Sequence, residues 1–320
     1  MVDIKLKIKS HQKSTNDFHN NQLNIQISGK DVNNVLVNTL RRLVMSYVPI
    51  YSFHQDDMVF DANTSIFNND MLKDRFRNIP IFNIDNDIKT LESYDDLEVK
   101  KERVVDKANN LTMFINVKNN KENIQNVTTD DAIFYYKGKQ ISSPYKRPIL
   151  LIKLKKGHEL RVTCISSLNI GLNDGIYGGS MAYHYYDEKD PKDYELEIQS
   201  SRQLDELELL NRACQILIIK CDKLEKLIIS NLEKEESEDV LTKGLLKIQN
   251  ENATLGNLIS YYLQDQKHME YSGFNIPFLY LNEILVRYRT DGKDIKDLIK
   301  KTFDSIRDIF DQINKDIEKL

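Results

Sequence analysis

The sequence predicts an α+β fold, an intramolecular pseudo-dimer of two half-domains with a β-rich domain inserted into the first half. One observation is that a strand, a short helix, further strands and a long helix follow one another in this order twice. A second is that both long helices carry apolar residues at alternating three- and four-residue spacing, the pattern of a coiled-coil seam. Two such seams in one chain bury their apolar side chains by packing against each other.

The composition indicates a globular protein and restricts its partners. The chain has 320 residues, enough for about two domains, and 40% of them are hydrophobic. The 45 basic and 49 acidic side chains give a net charge of −4, which disfavours a protein that binds nucleic acid directly. No apolar run approaches the roughly 18 residues that span a bilayer, and the N-terminus lacks the apolar core of a signal peptide. We therefore expect a soluble protein with no membrane partner.

The first half begins with two strands and a helix. Alternating apolar residues predict strands at 3–8 and 23–27. Helical spacing of apolar residues predicts a helix over 31–47, which Pro49 ends.

The segment 51–166 contains short strands, at 111–117, 149–154 and 160–165, separated by stretches rich in Asn and Asp. This texture is typical of an inserted β-rich domain with exposed loops. The glycine-dense segment 171–179 lacks the lysine of a phosphate-binding loop, so we interpret it as a tight connection. A further strand is predicted at 194–198.

A long helix over 202–231 closes the first half. Its predicted seam consists of Leu207, Leu210, Cys214, Leu217, Cys221 and Leu224. Two of the three cysteines thus fall on a buried stripe, where a thiol acts as a small apolar side chain. Cys164 stands alone, so neither a disulfide framework nor a four-ligand zinc site is expected. We expect no metal and no cofactor.

An acidic linker over 233–243 leads to the second half. Strands are predicted at 245–248, 271–276 and 284–288, and a short helix at 254–263. The seam of the terminal helix includes Phe303, Ile306, Phe310 and Ile313. The predicted domains are a first half-domain of residues 1–50 and 167–232, the insertion of 51–166, the linker, and a second half-domain of 244–320.

Candidate catalytic residues are few and carry no recognisable pattern. His54 precedes Asp56 and Asp57, but neighbouring side chains on a strand point to opposite sides, so a solvated loop is the simpler interpretation. Ser166 and Ser167 lack the flanking glycines of a nucleophile elbow. His158 is expected at the surface, and no partner for His268 is apparent from spacing. We predict no catalytic residue; a hydrolase would need a paired nucleophile and base.

Several stretches nevertheless resemble one family, the assembly subunits of multisubunit RNA polymerases. In the first half they are Asn38-Thr39-Leu40-Arg41-Arg42 with Val48-Pro49, Asn63-Thr64-Ser65, Asp70-Met71-Leu72 with Arg75, Ile79-Pro80-Ile81, Val127-Thr128-Thr129-Asp130-Asp131 and Leu154-Lys155-Lys156-Gly157-His158-Glu159-Leu160. They are similar to the bacterial alpha subunit, the archaeal D subunit and the third-largest subunit of polymerase II. The second half carries Asn252-Ala253-Thr254-Leu255-Gly256-Asn257-Leu258-Ile259 and Tyr271-Ser272-Gly273-Phe274-Asn275-Ile276-Pro277. It resembles the archaeal L subunit and the eleventh subunit of polymerase II.

The resemblance implies a non-catalytic platform on which the two largest polymerase subunits dock, with small zinc-binding polymerase subunits as further partners. It also implies that the chain contacts DNA only indirectly, through the complex. Here the third-subunit type and the eleventh-subunit type are fused in one chain, and by the resemblance this arrangement indicates a protein of a large DNA virus. A viral protein would act in the host cytoplasm and the virion, and otherwise the nucleus is expected. The alternative is a homodimeric interaction scaffold unrelated to transcription, which co-purification with two very large chains would exclude.

Two departures from the family pattern limit what can be carried over. The segment 175–182 keeps the family's glycines but lacks the basic residues that usually accompany them. The insertion holds only Cys164, whereas some relatives bind zinc or an iron–sulfur cluster there through four cysteines.

The two short helices are the expected partner surface. Arginine is enriched at interface hot spots, and Arg41 and Arg42 lie beside the apolar stripe of the first helix. By the resemblance, the first helix should face the second-largest subunit and the second short helix the largest. The candidate interface residues are Asn38, Leu40, Arg41, Arg42, Leu255, Asn257 and Leu258.

Overall fold

A computed structural model describes residues 2–13, 21–81, 94–106, 110–187, 190–201, 203–233, 242–278 and 280–320. The elements, in chain order, are β1 (Lys5–Gln12), β2 (Asn21–Ser28), α1 (Asn34–Ser46), β3 (Ile50–Asn63), α2 (Asn69–Arg77), α3 (Tyr94–Glu98), β4 (Thr112–Lys118), β5 (Gln125–Thr128), β6 (Ala132–Tyr136), β7 (Lys139–Ile141), β8 (Leu150–Leu154), β9 (Glu159–Asn169), β10 (Ser180–Asp187), β11 (Asp190–Ser200), α4 (Glu206–Glu233), β12 (Lys243–Gln249), α5 (Ala253–Gln264), β13 (Met269–Asn275), β14 (Glu283–Thr290) and α6 (Ile295–Ile317).

The two halves have the same topology. In the first half, the antiparallel sheet has the strand order β1-β2-β11-β10, and α1 connects β2 to the insertion that precedes β10. In the second half, the sheet has the order β12-β14-β13, and α5 lies between β12 and β13 in the chain. Each half ends in its long helix, α4 or α6. Strand β1 has no counterpart among the described strands of the second half.

The long helices pack against each other, and their apolar faces form one hydrophobic core with both sheets. Cys214, Leu217, Phe303 and Ile306 are all at most 1% exposed. At the rim of this contact, the guanidinium of Arg307 lies 3.0 Å from Asp222 and 2.6 Å from Glu225. The predicted α+β pseudo-dimer is confirmed.

The inserted domain has its own hydrophobic core. Its five-stranded sheet has the order β3-β9-β4-β6-β7, and β5 pairs with β8 in a separate ribbon. Phe53, Phe76 and Phe134 are at most 1% exposed in this second core. Tyr94 and Leu97 of α3 instead pack into the core of the pseudo-dimer, so this part of the insertion contacts the long helices.

Most predicted strands and helices are present, with ends shifted by a few residues. Seven elements were not predicted. Six of them belong to the segment 51–166, namely β3, α2, α3, β5, β6 and β7, and the seventh is β10. The solvated loop predicted at His54 is wrong, because His54 lies inside β3 and is only 8% exposed. A register shift between Phe53 and Met58 interrupts the pairing with β9 and breaks the period-two pattern there. Most of the predicted acidic linker, residues 234–241, lies outside the described residues.

No helix in the described part of the chain is long and apolar enough to cross a membrane.

Candidate partner interface

Helix α1 begins and ends as its sequence dictates. The side chain of Asn33 accepts a hydrogen bond of 2.9 Å from the amide of Leu36, which caps the helix N-terminus. Leu36, Leu40 and Leu43 are fully buried on the face that covers the first core. Tyr47 ends the helix, two residues before Pro49.

Helix α5 is built in the same way. Asn252 caps it by accepting a hydrogen bond of 2.9 Å from the amide of Thr254. Gly256 lets the helix approach its own sheet closely, since a Cβ atom there would lie 2.7 Å from the ring of Phe274 in β13. Leu255 and Leu258 are 1% and 0% exposed.

The two short helices run antiparallel along the junction of the halves and are tied by three hydrogen bonds. The amide group of Asn33 donates to the hydroxyl of Tyr262 over 3.3 Å. Arg42 Nε donates to Thr254 Oγ1 over 2.6 Å. At the other end, Asn252 Nδ2 donates to the Tyr47 hydroxyl over 2.6 Å. Burial raises the pKa of Tyr262 to about 12, so its phenol stays neutral at neutral pH.

This packing corrects the expectation that the apolar stripes of the short helices are free to meet outside partners. Leu40, Leu255 and Leu258 are in the interior, because each short helix covers its sheet and packs against the other. Their side chains stabilise the chain itself. Of the predicted interface residues, Asn38, Arg41, Arg42 and Asn257 keep part of their side chains exposed.

Arg41 is held in position by its own helix. Its Nε and Nη2 atoms donate to Asn38 Oδ1 over 3.1 and 3.0 Å, and Nη1 lies 3.3 Å from the sulfur of Met45. Partial burial, with a smaller effect of Arg42, lowers the pKa of its guanidinium. A pre-positioned arginine loses less side-chain entropy when it binds a partner. Arg42, by contrast, is already engaged with Thr254.

A buried ionic cluster next to the helix pair was not predicted. Lys220 of α4 is 4% exposed, and its Nζ lies 2.9 Å from Glu251, beside a contact with Glu98 of α3. The same Nζ lies 5.5 Å from the centre of the Tyr47 ring. Burial raises the pKa of Glu251 to about 7, and the Lys220 ammonium opposes this shift. The sequence did contain a signal for this cluster. Lys220 lies within the apolar stripe, three residues after Leu217 and four before Leu224, and a lysine buried there needs an acidic partner.

In the part of the chain that the structure describes, residues with the chemistry for a metal site meet at one place, where His11, Asp205 and Glu206 bring their ligand atoms within 4.8 Å of one another. Each already has a protein partner. His11 Nε2 lies 2.8 Å from Glu206, Lys13 lies 2.9 Å from Asp205, and Ser200 donates to Glu206. These contacts account for the buried carboxylate of Glu206 without an ion.

The three cysteines are buried and lie apart from that cluster. Burial raises the pKa of Cys164 and Cys221 to about 12, and it raises that of Cys214 as well. The thiolate is the nucleophile and the metal ligand, so these thiols suit core packing.

Of the remaining candidate catalytic residues, His268, Ser167 and His54 have structural partners, whereas the buried hydroxyl of Ser166 has none among the described residues. His268 Nδ1 lies 2.7 Å from Asp291, a partner 23 residues away that spacing did not reveal. The Ser167 hydroxyl lies 2.8 Å from that of Tyr177. His54 Nε2 lies 3.7 Å from Asp174, and burial lowers the pKa of this histidine. His158 is partly exposed.

Comparison with known proteins agrees with the repeated topology of the two halves. The chain is 27% identical over 314 residues to a putative DNA-directed RNA polymerase subunit of Acanthamoeba polyphaga mimivirus, which covers 90% of this chain and 85% of that protein. It is 29% identical over 122 residues to a probable subunit of DNA-directed RNA polymerases I and III of Caenorhabditis elegans, or 38% of this chain and 77% of that protein. Residues 27–221 and 243–316 each match the RNA polymerase Rpb3/Rpb11 dimerisation domain. Two segments of this polypeptide therefore match the same kind of domain. Since the longer match spans more than half of the chain, the chain belongs to the RNA polymerase Rpb3/Rpb11 dimerisation family.

Proposed function

We propose that this chain is the assembly platform of a multisubunit DNA-directed RNA polymerase and that it docks the two largest subunits. Membership of the family makes the chain a non-catalytic component of such a polymerase, with other polymerase subunits as its partners. The observation that supports a platform is the packing of two matching half-domains around one hydrophobic core. A chain that is its own dimer can present two different surfaces at fixed positions.

The docking surface in this proposal is the exposed side of the α1–α5 pair. Asn38 and Arg41 present polar groups on the first half, and Asn257 presents one on the second. Docking of the second-largest subunit at α1, and of the largest at α5, would place both beside the junction of the halves. The small zinc-binding subunits remain proposed partners without an assigned surface.

The domain division in this proposal takes residues 1–50 and 167–232 as one half, 244–320 as the other, and 51–166 as the insertion, with 233–243 as the linker. The two separate hydrophobic cores support the division between pseudo-dimer and insertion. The mimivirus relative supports a viral setting, in which the complex acts in the host cytoplasm and is packaged in the virion. A scaffold unrelated to transcription is disfavoured by the family membership.

Affinity purification of the tagged full-length chain from cells that express the polymerase tests this function. Mass spectrometry should identify the two largest polymerase subunits in stoichiometric amounts. Purification of the chain by itself, or as a homodimer with no large subunit, would refute the platform.

A further inference from the structure

Among the described residues, no strand pairs with the outer edge of β12, whereas the equivalent edge in the first half is covered. Strand β2 lies between β11 and β1, whereas β12 pairs with β14 alone among the described strands. Strand β1 also packs against α6, the long helix of the opposite half. By the internal repeat, the strand that would cover β12 should pack against α4.

A groove occupies this position. Between β12 and the last turns of α4 lies a cavity of about 500 Å³, lined mainly by Leu227, Ile228, Leu232, Leu245 and Leu246. Leu227 and Leu245 both line this cavity, and each is 45% exposed. An open strand edge beside an apolar groove is a template for an added strand.

The first half indicates what such a strand must carry. Leu6 and Ile8 of β1 pair with Ile27 and Ile25 of β2 and pack against the core. In the second half, Leu246 and Ile248 of β12 are buried on the corresponding side. The occupant should therefore have apolar residues at alternate positions, directed toward α4.

The charges on the outer face of the sheet are opposite in the two halves. In the first half, β11 presents acidic side chains, and Lys9 of β1 forms an ion pair with Glu195. In the second half, β12 and β14 present three exposed basic residues, Lys247, Arg287 and Arg289. Lys247 forms an ion pair with Glu283 and Arg289 forms one with Glu270, whereas Arg287 lies opposite Leu245 of β12. Acidic side chains on an added strand would complement this face, whereas like charges directly across strands are destabilising.

We propose that the open edge of β12, with the adjoining groove of α4, binds an extended segment of another polymerase subunit in which apolar and acidic residues alternate. The segment adds a fourth strand to the second sheet. That the segment comes from a polymerase subunit rests on the proposed function. The β1 strand of a second copy fits poorly, since it would place Lys5 and Lys7 opposite basic residues.

Site-specific photo-crosslinking in the assembled polymerase tests this site. The photoreactive residue p-benzoylphenylalanine replaces Leu227 or Leu245 in separate variants. Leu150, an exposed leucine in β8 of the inserted domain, is the control position. After irradiation, mass spectrometry should identify, at both groove positions, a segment of another subunit with the alternating pattern.

A charge variant measures the contribution of the basic face. Arg287→Glu should reduce the crosslink yield at Leu245 at least tenfold, and Lys139→Glu, an exposed reversal in β7 of the insertion, should leave it unchanged. Equal thermal unfolding of the two variants is the folding control. Crosslinks to this chain's own residues 234–241, crosslinks to a second copy, or a yield no higher than that at Leu150 would each overturn the proposal. The platform function would survive that result as long as the large subunits still co-purify.

Discussion

Arg42 in the first half of the chain donates a hydrogen bond of 2.6 Å from Nε to Oγ1 of Thr254 in the second half. The two residues are 212 positions apart in sequence, and the bond joins the last turns of α1 to the first turn of α5. Arg42 therefore stabilises the junction of the pseudo-dimer, and Arg41 is the residue left to test for partner binding.

A double-mutant cycle should detect this bond. Arg42→Met and Thr254→Val should couple by about 1–2 kcal/mol in the free energy of unfolding, because each alone leaves a partly buried partner without its hydrogen bond. Thr302→Val in α6, whose hydroxyl bonds to Leu298 of its own helix, is the control and should not couple with Arg42→Met. Denaturant unfolding of the four variants gives the coupling energy, and a value near zero would mean that the bond adds nothing.

Charge reversal at Arg41 should weaken assembly without unfolding the chain. Arg41→Glu removes a pre-positioned cation from the exposed side of α1, and we expect a loss of roughly 2 kcal/mol in binding if it is a hot spot. The readout is recovery of both large subunits with the tagged variant, and circular dichroism reports folding. Lys300→Glu, an exposed reversal on α6, is the matched control. Normal recovery with Arg41→Glu would make this arginine an ordinary surface residue.

The seam between the long helices should dominate stability. Leu217 is fully buried, and Leu217→Ala should lower the free energy of unfolding by about 3 kcal/mol through lost burial and the cavity left behind. Leu227→Ala changes the same residue type on the same helix at a 45% exposed position, and we expect less than about 1 kcal/mol there. Chemical denaturation measures both, and equal losses would argue against a buried seam.

The buried cluster around Glu251 should make stability depend on pH. Its pKa, raised to about 7 by burial, lies above that of an unfolded glutamate at about 4.3. The folded state thus binds the extra proton between these pH values, so this group's contribution to stability falls as pH rises from about 4.5 to 7. Glu251→Gln removes the titration. Between pH 5 and 8 the stability of this variant relative to wild type should improve by up to roughly 3 kcal/mol.

Unfolding curves at several pH values test this sign. Lys220 contacts both Glu251 and Glu98, and it also lies over the Tyr47 ring. The variant Glu98→Gln therefore shows whether the neighbouring carboxylate changes the dependence of stability on pH. Glu102→Gln, at an exposed glutamate, is the control for general effects of charge. Parallel pH profiles for wild type and Glu251→Gln would contradict a raised pKa.

The purified protein should contain no stoichiometric zinc or iron. The cysteines are buried with raised pKa values, and His11, Asp205 and Glu206 are occupied by protein partners. Elemental analysis of the purified chain measures this, and one equivalent of either metal would require a site that these contacts do not supply.

The repeated order of elements and both long seams could be predicted from the amino-acid sequence. The spacing of apolar residues such as Leu217 and Ile306 is a local periodic pattern. It is present in the sequence regardless of which element the helix packs against. The family motifs in α1 and α5 were likewise readable, because they are contiguous runs of residues. Local pattern failed at β3, where an irregular pairing around His54 breaks the period of two.

Which side chains of the short helices are available to partners depends on how the two halves pack, and this is seen only in the tertiary structure. An apolar stripe shows that a helix face is buried, but it does not show whether another part of the same chain or another protein buries it. Leu40 and Leu258 are buried by this chain itself, Arg42 is bound to Thr254, and Lys220 meets carboxylates from two distant segments. Contacts between residues that are far apart in sequence leave no periodic trace, so they become visible only when the halves are packed together.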